Sequence, residues 1–149
     1  MKKIFLILSL IIVTSCGYQP IFSAKDANLN IEEIIFDSND KISNKIKNKL
    51  NYLVSKENNN KVFKLLLKSE RRILTSSKDS KGDTLIFKMI IDTEVEIYEN
   101  EQILKMINIS KDFSYKNNSN KFDLKQYEKI VEENLIDAIY QEIVLILYN

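Results

Sequence analysis

Residues 84–115 read TLIFKMIIDTEVEIYENEQILKMINISKDFSY. Leu85, Phe87, Met89, Ile91, Thr93, Val95 and Ile97 share one parity, and Lys88, Asp92, Glu94 and Glu96 the other. A period of two with one apolar and one charged row is the mark of a half-buried strand. Glu99-Asn100 makes a tight reversal, because Asn tolerates positive φ. The return strand, Gln102 to Tyr115, sets Ile103, Ile107, Ile109, Phe113 and Tyr115 on one face. The centre of the chain is therefore a long antiparallel hairpin. Ile86 and Ile90 interrupt its polar parity and mark where an apolar patch on the outer face is expected.

Upstream, Val62 to Leu74 is another strand, with Lys64, Lys68, Glu70 and Arg72 on one parity and Phe63, Leu65 and Leu67 on the other. Thr75 to Asp83 is a polar loop containing Gly82. Before it, Ile42, Ile46, Leu50 and Leu53 recur at helical spacing, predicting a helix over 40–55 capped by Asp40 or Ser38. Lys41, Lys45, Lys47 and Lys49 decorate its other face. Leu29 to Phe36 makes a first short strand, muddied by Glu32-Glu33, and the helix that follows leaves its pairing with the next strand open.

Downstream of the hairpin, Lys116 to Lys121 is a polar loop. Asp123 and Gln126 have capping-box spacing ahead of the longest helix. Its stripe of Leu124, Tyr127, Val131, Leu135, Ala138 and Leu145 is widened by Ile139, Ile143, Ile146 and Leu147, enough to lie flat on a sheet. The order β-α-β-β-β-α predicts an α+β domain over 29–149, with two helices packed on one face of a mostly antiparallel four-stranded sheet.

The N-terminus carries a different kind of information. Met1-Lys2-Lys3, the apolar run Ile4 to Val13 and Thr14-Ser15-Cys16 describe an export signal over 1–15. The run is too short to span a bilayer core, which takes about 20 residues. The only cysteine follows directly, and Val13-Thr14-Ser15-Cys16 resembles a lipobox. A thiol is the nucleophile that diacylation requires. Cys16 is thus expected to become the first mature residue and to carry a lipid, with 16–28 as a tether. Multiple acyl chains hold a protein at a membrane without spanning it. An ordinary signal peptide with an incidental Cys is the alternative.

Cleavage would leave 134 of 149 residues and remove Lys2 and Lys3, so 20 basic residues face 21 acidic ones. That balance argues against a nucleic-acid binder. Histidine is absent, which removes the commonest general base and metal ligand. With Cys16 acylated, no disulfide can form, and no metal site or cofactor beyond the covalent lipid is expected. A hydrolase working with carboxylates would need Asp92, Glu94 and Glu96 to converge in a cleft; on one strand face they read more simply as sheet decoration.

Cys16-Gly17-Tyr18-Gln19-Pro20-Ile21-Phe22 resembles the opening of the lipopolysaccharide-assembly lipoproteins, the LptE family, in its alphaproteobacterial form. The element order is similar to that family's two helices against four strands. The resemblance implies a non-catalytic, periplasm-facing lipoprotein of the outer membrane. Its partner would be the LptD-type β-barrel, which it would serve as plug and assembly factor in lipopolysaccharide transport. Gly17 in place of Asp after the cysteine leans the same way on sorting. The residue-by-residue carry-over is limited to Cys16, Gly17, Tyr18 and Pro20. Tyr18, Pro20 and Phe22 are expected to rest in the headgroup zone, on the barrel wall or on the domain's own sheet. Another periplasm-facing lipoprotein, auxiliary to a transporter or a barrel-assembly machine, is the runner-up.

The resemblance also implies contact with lipopolysaccharide, whose lipid A phosphates call for cations. If the 74–84 connection is a hairpin tip, Lys68, Arg71, Arg72, Lys78 and Lys81 gather at one end of the sheet, diluted by Glu70, Asp79 and Asp83. A solvated loop is the competing reading.

Overall fold

The structure is a computed structural model that describes residues 30–37, 39–54 and 62–148. Strand β1 (Asn30–Phe36) leads into helix α1 (Lys41–Leu50), which closes in a single 3-10 turn, Asn51–Leu53. Strands β2 (Val62–Lys78), β3 (Thr84–Glu99) and β4 (Gln102–Lys116) follow, and helix α2 (Lys121–Tyr148) ends the described chain. The sheet keeps the sequence order β1-β2-β3-β4. β2, β3 and β4 are antiparallel neighbours, whereas β1 joins β2 in parallel, since the α1 crossover returns the chain to the end from which β1 started.

Both helices cover one face of this mixed sheet and touch each other. The shared core takes Ile31 and Ile34 from β1, Leu65 and Leu67 from β2, Met89, Ile91, Val95 and Ile97 from β3, and Ile109 and Tyr115 from β4. α1 and its turn add Ile42, Ile46, Leu50 and Leu53. α2 adds Leu124, Val131, Leu135, Ile136, Ile139, Ile143 and Val144. Fully burying one such aliphatic side chain stabilises the fold by about 1.5–3 kcal/mol. Packing of these two layers holds the described domain together.

Several local expectations shift. β2 runs on to Lys78, so the loop after it is only 79–83 and Arg71-Arg72 lie in mid-strand rather than near its end. Asp79 makes that short loop workable: its Oδ1 accepts from the amides of Lys81 and Asp83, and Gly82 takes φ +88. The β3–β4 reversal falls on Asn100-Glu101, both at positive φ, one residue later than the sequence suggests. A register shift between Ile97 and Tyr98 then turns Ile103 away from the helix-covered face, while Ile107, Ile109, Phe113 and Tyr115 stay on it. α2 is capped by Asn120, whose Oδ1 accepts from Phe122 and Asp123, so Asp123 sits inside the first turn instead of ahead of it. Asp40 does cap α1, accepting from the amide of Ser43 at 2.9 Å. Tyr127 and Leu145 lie at the margin of the α2 stripe, 44% and 45% exposed. Ile86 and Ile90 are half-buried, and the apolar residues left outside lie elsewhere, above all along β4.

Candidate functional site

Cys16, Gly17, Tyr18, Pro20 and Phe22 lie outside the described residues. The tether and anchor therefore remain expectations from sequence.

The five candidate cations do not form one cluster. Successive residues of a strand point to opposite faces, and Arg71 and Arg72 part company for that reason. Arg71 turns toward the helices, where its Nε meets Glu132 of α2 at 3.0 Å. Glu132 also receives Lys45 of α1 at 2.7 Å, and Lys45 reaches Glu133 at 2.6 Å. Burial pushes the Lys45 ammonium down, but its two carboxylate partners outweigh that and leave it raised. Arg71 is thus part of the clasp between α1, α2 and β2.

Arg72 and Lys68 lie on the open face. Arg72 hydrogen-bonds Asp92 of β3. Lys68 bridges Glu94 at 3.0 Å and Glu96 at 3.2 Å, and these bonds raise its pKa. Asp92 is held below the usual carboxylate range by the Ser110 hydroxyl and the Arg72 guanidinium. Glu96, buried at 7% exposure, is lowered by the Tyr98 hydroxyl and by Lys68. Each of these three carboxylates is engaged by a cation or a hydroxyl. They form a salt-bridged row across β2, β3 and β4.

Lys78 and Lys81 remain together at the β2–β3 turn, and the fold brings two further lysines to the same end. Ile86 pairs with Lys116, and the amide of Asn117 donates to the Leu85 carbonyl at 2.8 Å, so β4 ends beside the start of β3. Four residues later α2 begins at Lys121. Lys78, Lys81, Lys116 and Lys121 make no ion pair among the described residues. An open depression of about 470 Å³ lies here, lined by Asp83, Thr84, Leu85, Phe87, Asn117, Ser119 and Lys121. In its wall Asn117 donates to the Thr84 carbonyl at 2.8 Å, while its Oδ1 is buried with no partner. Lysines that make no ion pair among the described residues, gathered at one end of the sheet, suit a ligand bearing anionic groups. Lys116, Asn117 and Lys121 escaped the sequence reading. Two consecutive hairpins return the chain to the same end, so the polar loops 79–83 and 117–120 were bound to be neighbours.

Among the described residues no cluster of metal-ligating side chains occurs, and no helix is long and apolar enough to cross a membrane.

No model of a known protein family matches this sequence, and no curated relative matches it. Solved structures do. The chain is similar to rare lipoprotein B from Shewanella oneidensis, with 16% identity, 76% of this chain and 91% of that chain covered, and a TM-score of 0.55. Lipoprotein B from Nitrosomonas europaea matches at 10% identity over 77% and 79% of the two chains, with a TM-score of 0.55. A minor lipoprotein from Acinetobacter baumannii matches at 17% over 77% and 87%, with a TM-score of 0.54. The two helices, the four strands and their order are thus those of rare lipoprotein B, the LptE-type fold that the residues Cys16 to Phe22 resemble from sequence.

Proposed function

We propose that this chain is a non-catalytic lipoprotein, anchored through Cys16 to the outer membrane and facing the periplasm. In this role it partners an LptD-type β-barrel as plug and assembly factor in lipopolysaccharide transport. The lysine-rich end meets lipopolysaccharide phosphates. The observation that carries the reading is the fold, shared over most of the chain with proteins named as lipoproteins, behind a lipobox-like opening.

The surface supports a barrel partner. The open face of the sheet is a row of paired charges, Lys68 with Glu94 and Glu96, Arg72 with Asp92, Lys88 with Asp112. Such a face, mixed in sign and hydrogen-bonded, suits the polar interior of a barrel. For phosphate contact, Lys78, Lys81, Lys116 and Lys121 are better placed than Arg71 or Arg72. An arginine already closed on a carboxylate must give up that bond to gain another, whereas an unpaired lysine gives up only water.

Binding of purified lipopolysaccharide to the mature protein tests the phosphate contact. Replacing all four lysines by alanine is expected to weaken binding by about tenfold or more while leaving thermal stability unchanged. Arg71→Ala should lower stability and spare binding. A four-lysine variant that binds like the parent would remove the lysine end from the account.

A further inference from the structure

The sheet ends on β1 at one side and on β4 at the other, and among the described residues the two edges are treated differently. β1 is covered near its start, where Ile31 bridges Val54. Beyond Phe36 the edge of β2 emerges, and Asp40 accepts its first outward amide, that of Ser69, at 2.7 Å. Register shifts around Ser77 make the far end of that edge irregular. β4 has no such protection. It pairs with β3 alone, and among the described residues nothing bridges its other side over fifteen residues.

Which backbone groups face outward follows from one bond. The Asn117 amide donates to the Leu85 carbonyl of β3. Antiparallel alternation then turns residues 115, 113, 111, 109 and 107 toward β3, and Met106, Asn108, Ser110, Asp112 and Ser114 away from it. A row of unpaired amides and carbonyls is a template for another strand.

The side chains along this edge say what kind of strand. β4 holds Lys105, Lys111 and Lys116 against a single acid, Asp112. Lys111 is closed on Glu142 at 2.5 Å and Asp112 on Lys88 at 3.1 Å. Lys105 and Lys116 have no ion pair among the described residues. Beside Lys105, Ile103, Leu104 and Met106 are 54%, 58% and 54% exposed. Edge lysines deter a second copy of the same edge, and the same charges attract an acidic strand.

We propose that the outer edge of β4 takes up an extended segment of a partner protein as a fifth strand. That segment carries acidic side chains toward Lys105 and Lys116 and apolar ones toward Ile103, Leu104 and Met106. The two lysines lie about 36 Å apart along the strand at 3.3 Å per residue, so the segment spans about twelve residues. This strand addition needs no lipid anchor, and it shares Lys116 with the end proposed above to meet lipopolysaccharide phosphates.

The test is amide hydrogen exchange on the full mature chain with two synthetic twelve-residue peptides. Both alternate valine and threonine, one with glutamates at its ends and the other with lysines there. The glutamate peptide should slow exchange at Met106, Asn108, Ser110, Asp112 and Ser114 by about tenfold, and the lysine peptide should not. Asn108→Pro removes an outward amide without touching the β3 ladder and should abolish the slowing. If that variant fails to fold, Lys105→Glu with Lys116→Glu serves instead and should switch the preference to the lysine peptide. No slowing with glutamate, equal slowing with both peptides, or slowing at the Ser69 to Thr75 edge would each overturn the proposal. So would slowing that grows with protein concentration alone, which would assign the edge to a second copy.

Discussion

Asp40 satisfies three donors at once. Its Oδ1 accepts the Ser43 amide at 2.9 Å, and its Oδ2 accepts the Ser43 hydroxyl and the Ser69 amide. Ser43 continues inward to Ser69 at 2.8 Å and Ser69 to Thr93 at 3.0 Å, a hydroxyl chain through an otherwise apolar layer. One carboxylate therefore starts α1, closes the exposed edge of β2 where β1 stops, and anchors the buried hydroxyls. An N-cap contributes about 1 kcal/mol, and a buried amide left without an acceptor costs about 1–3 kcal/mol. Asp40→Ala should destabilise the protein by about 2–3 kcal/mol in urea unfolding, and Asp40→Asn by about half of that.

At the same scale the open face sets an acid limit. Asp92 and Glu96 titrate below ordinary carboxylates in the folded protein, through Ser110 and Arg72 for the first and Tyr98 and Lys68 for the second. A depressed folded value means that the stabilisation is complete above the unfolded carboxylate range and is lost as pH falls through the folded value. The gap in stability between the parent and Asp92→Asn should therefore be constant near neutrality and shrink as pH falls below the ordinary carboxylate range, about pH 4. Thermal unfolding across that range reads it directly.

Elements were legible where a period was long and unbroken. β3 and the core of α2 followed from their apolar spacing, because a single buried face leaves little choice of register. The misses fall where one residue changes parity. Sequence parity groups Ile103 with Ile107 and Ile109, but the shift beside Tyr98 inserts an extra residue and reverses it. Thr75, Ser76 and Ser77 read as loop from sequence, yet Thr75 pairs with Phe87 and Ser77 with Ile86 across an irregularity at Ser76, and the strand continues to Lys78. The β3–β4 turn is an element with room for improvement. Glu101 sits at φ +64, a conformation that disfavours any residue with a Cβ. Glu101→Gly would create the Asn-Gly pair that two-residue hairpins prefer and should raise stability by about 0.5–1 kcal/mol.

The whole molecule has two unlike ends. β1 begins beside the β3–β4 turn, since Asn30 pairs with Val62 and Phe63 with Glu99. Cys16 precedes Asn30, where the described chain enters the domain at that end, by 13 intervening residues. Lys78, Lys81, Lys116 and Lys121 gather at the other, about 50 Å away along the strands at 3.3 Å per residue. The adjacency of loops 79–83 and 117–120 follows from the order of two consecutive hairpins and not from the spacing of their own residues. The proposed anchor rests on sequence alone, a basic start, an apolar run and small residues in a fixed order ending at Cys16.

The barrel partnership is the central proposal for this protein. The measurement is affinity purification of the tagged mature protein from detergent-solubilised membranes, with the recovered proteins identified and quantified by mass spectrometry. An LptD-type β-barrel recovered at about one to one is the predicted result. Recovery of an inner-membrane transporter, or of no barrel at all, would contradict it.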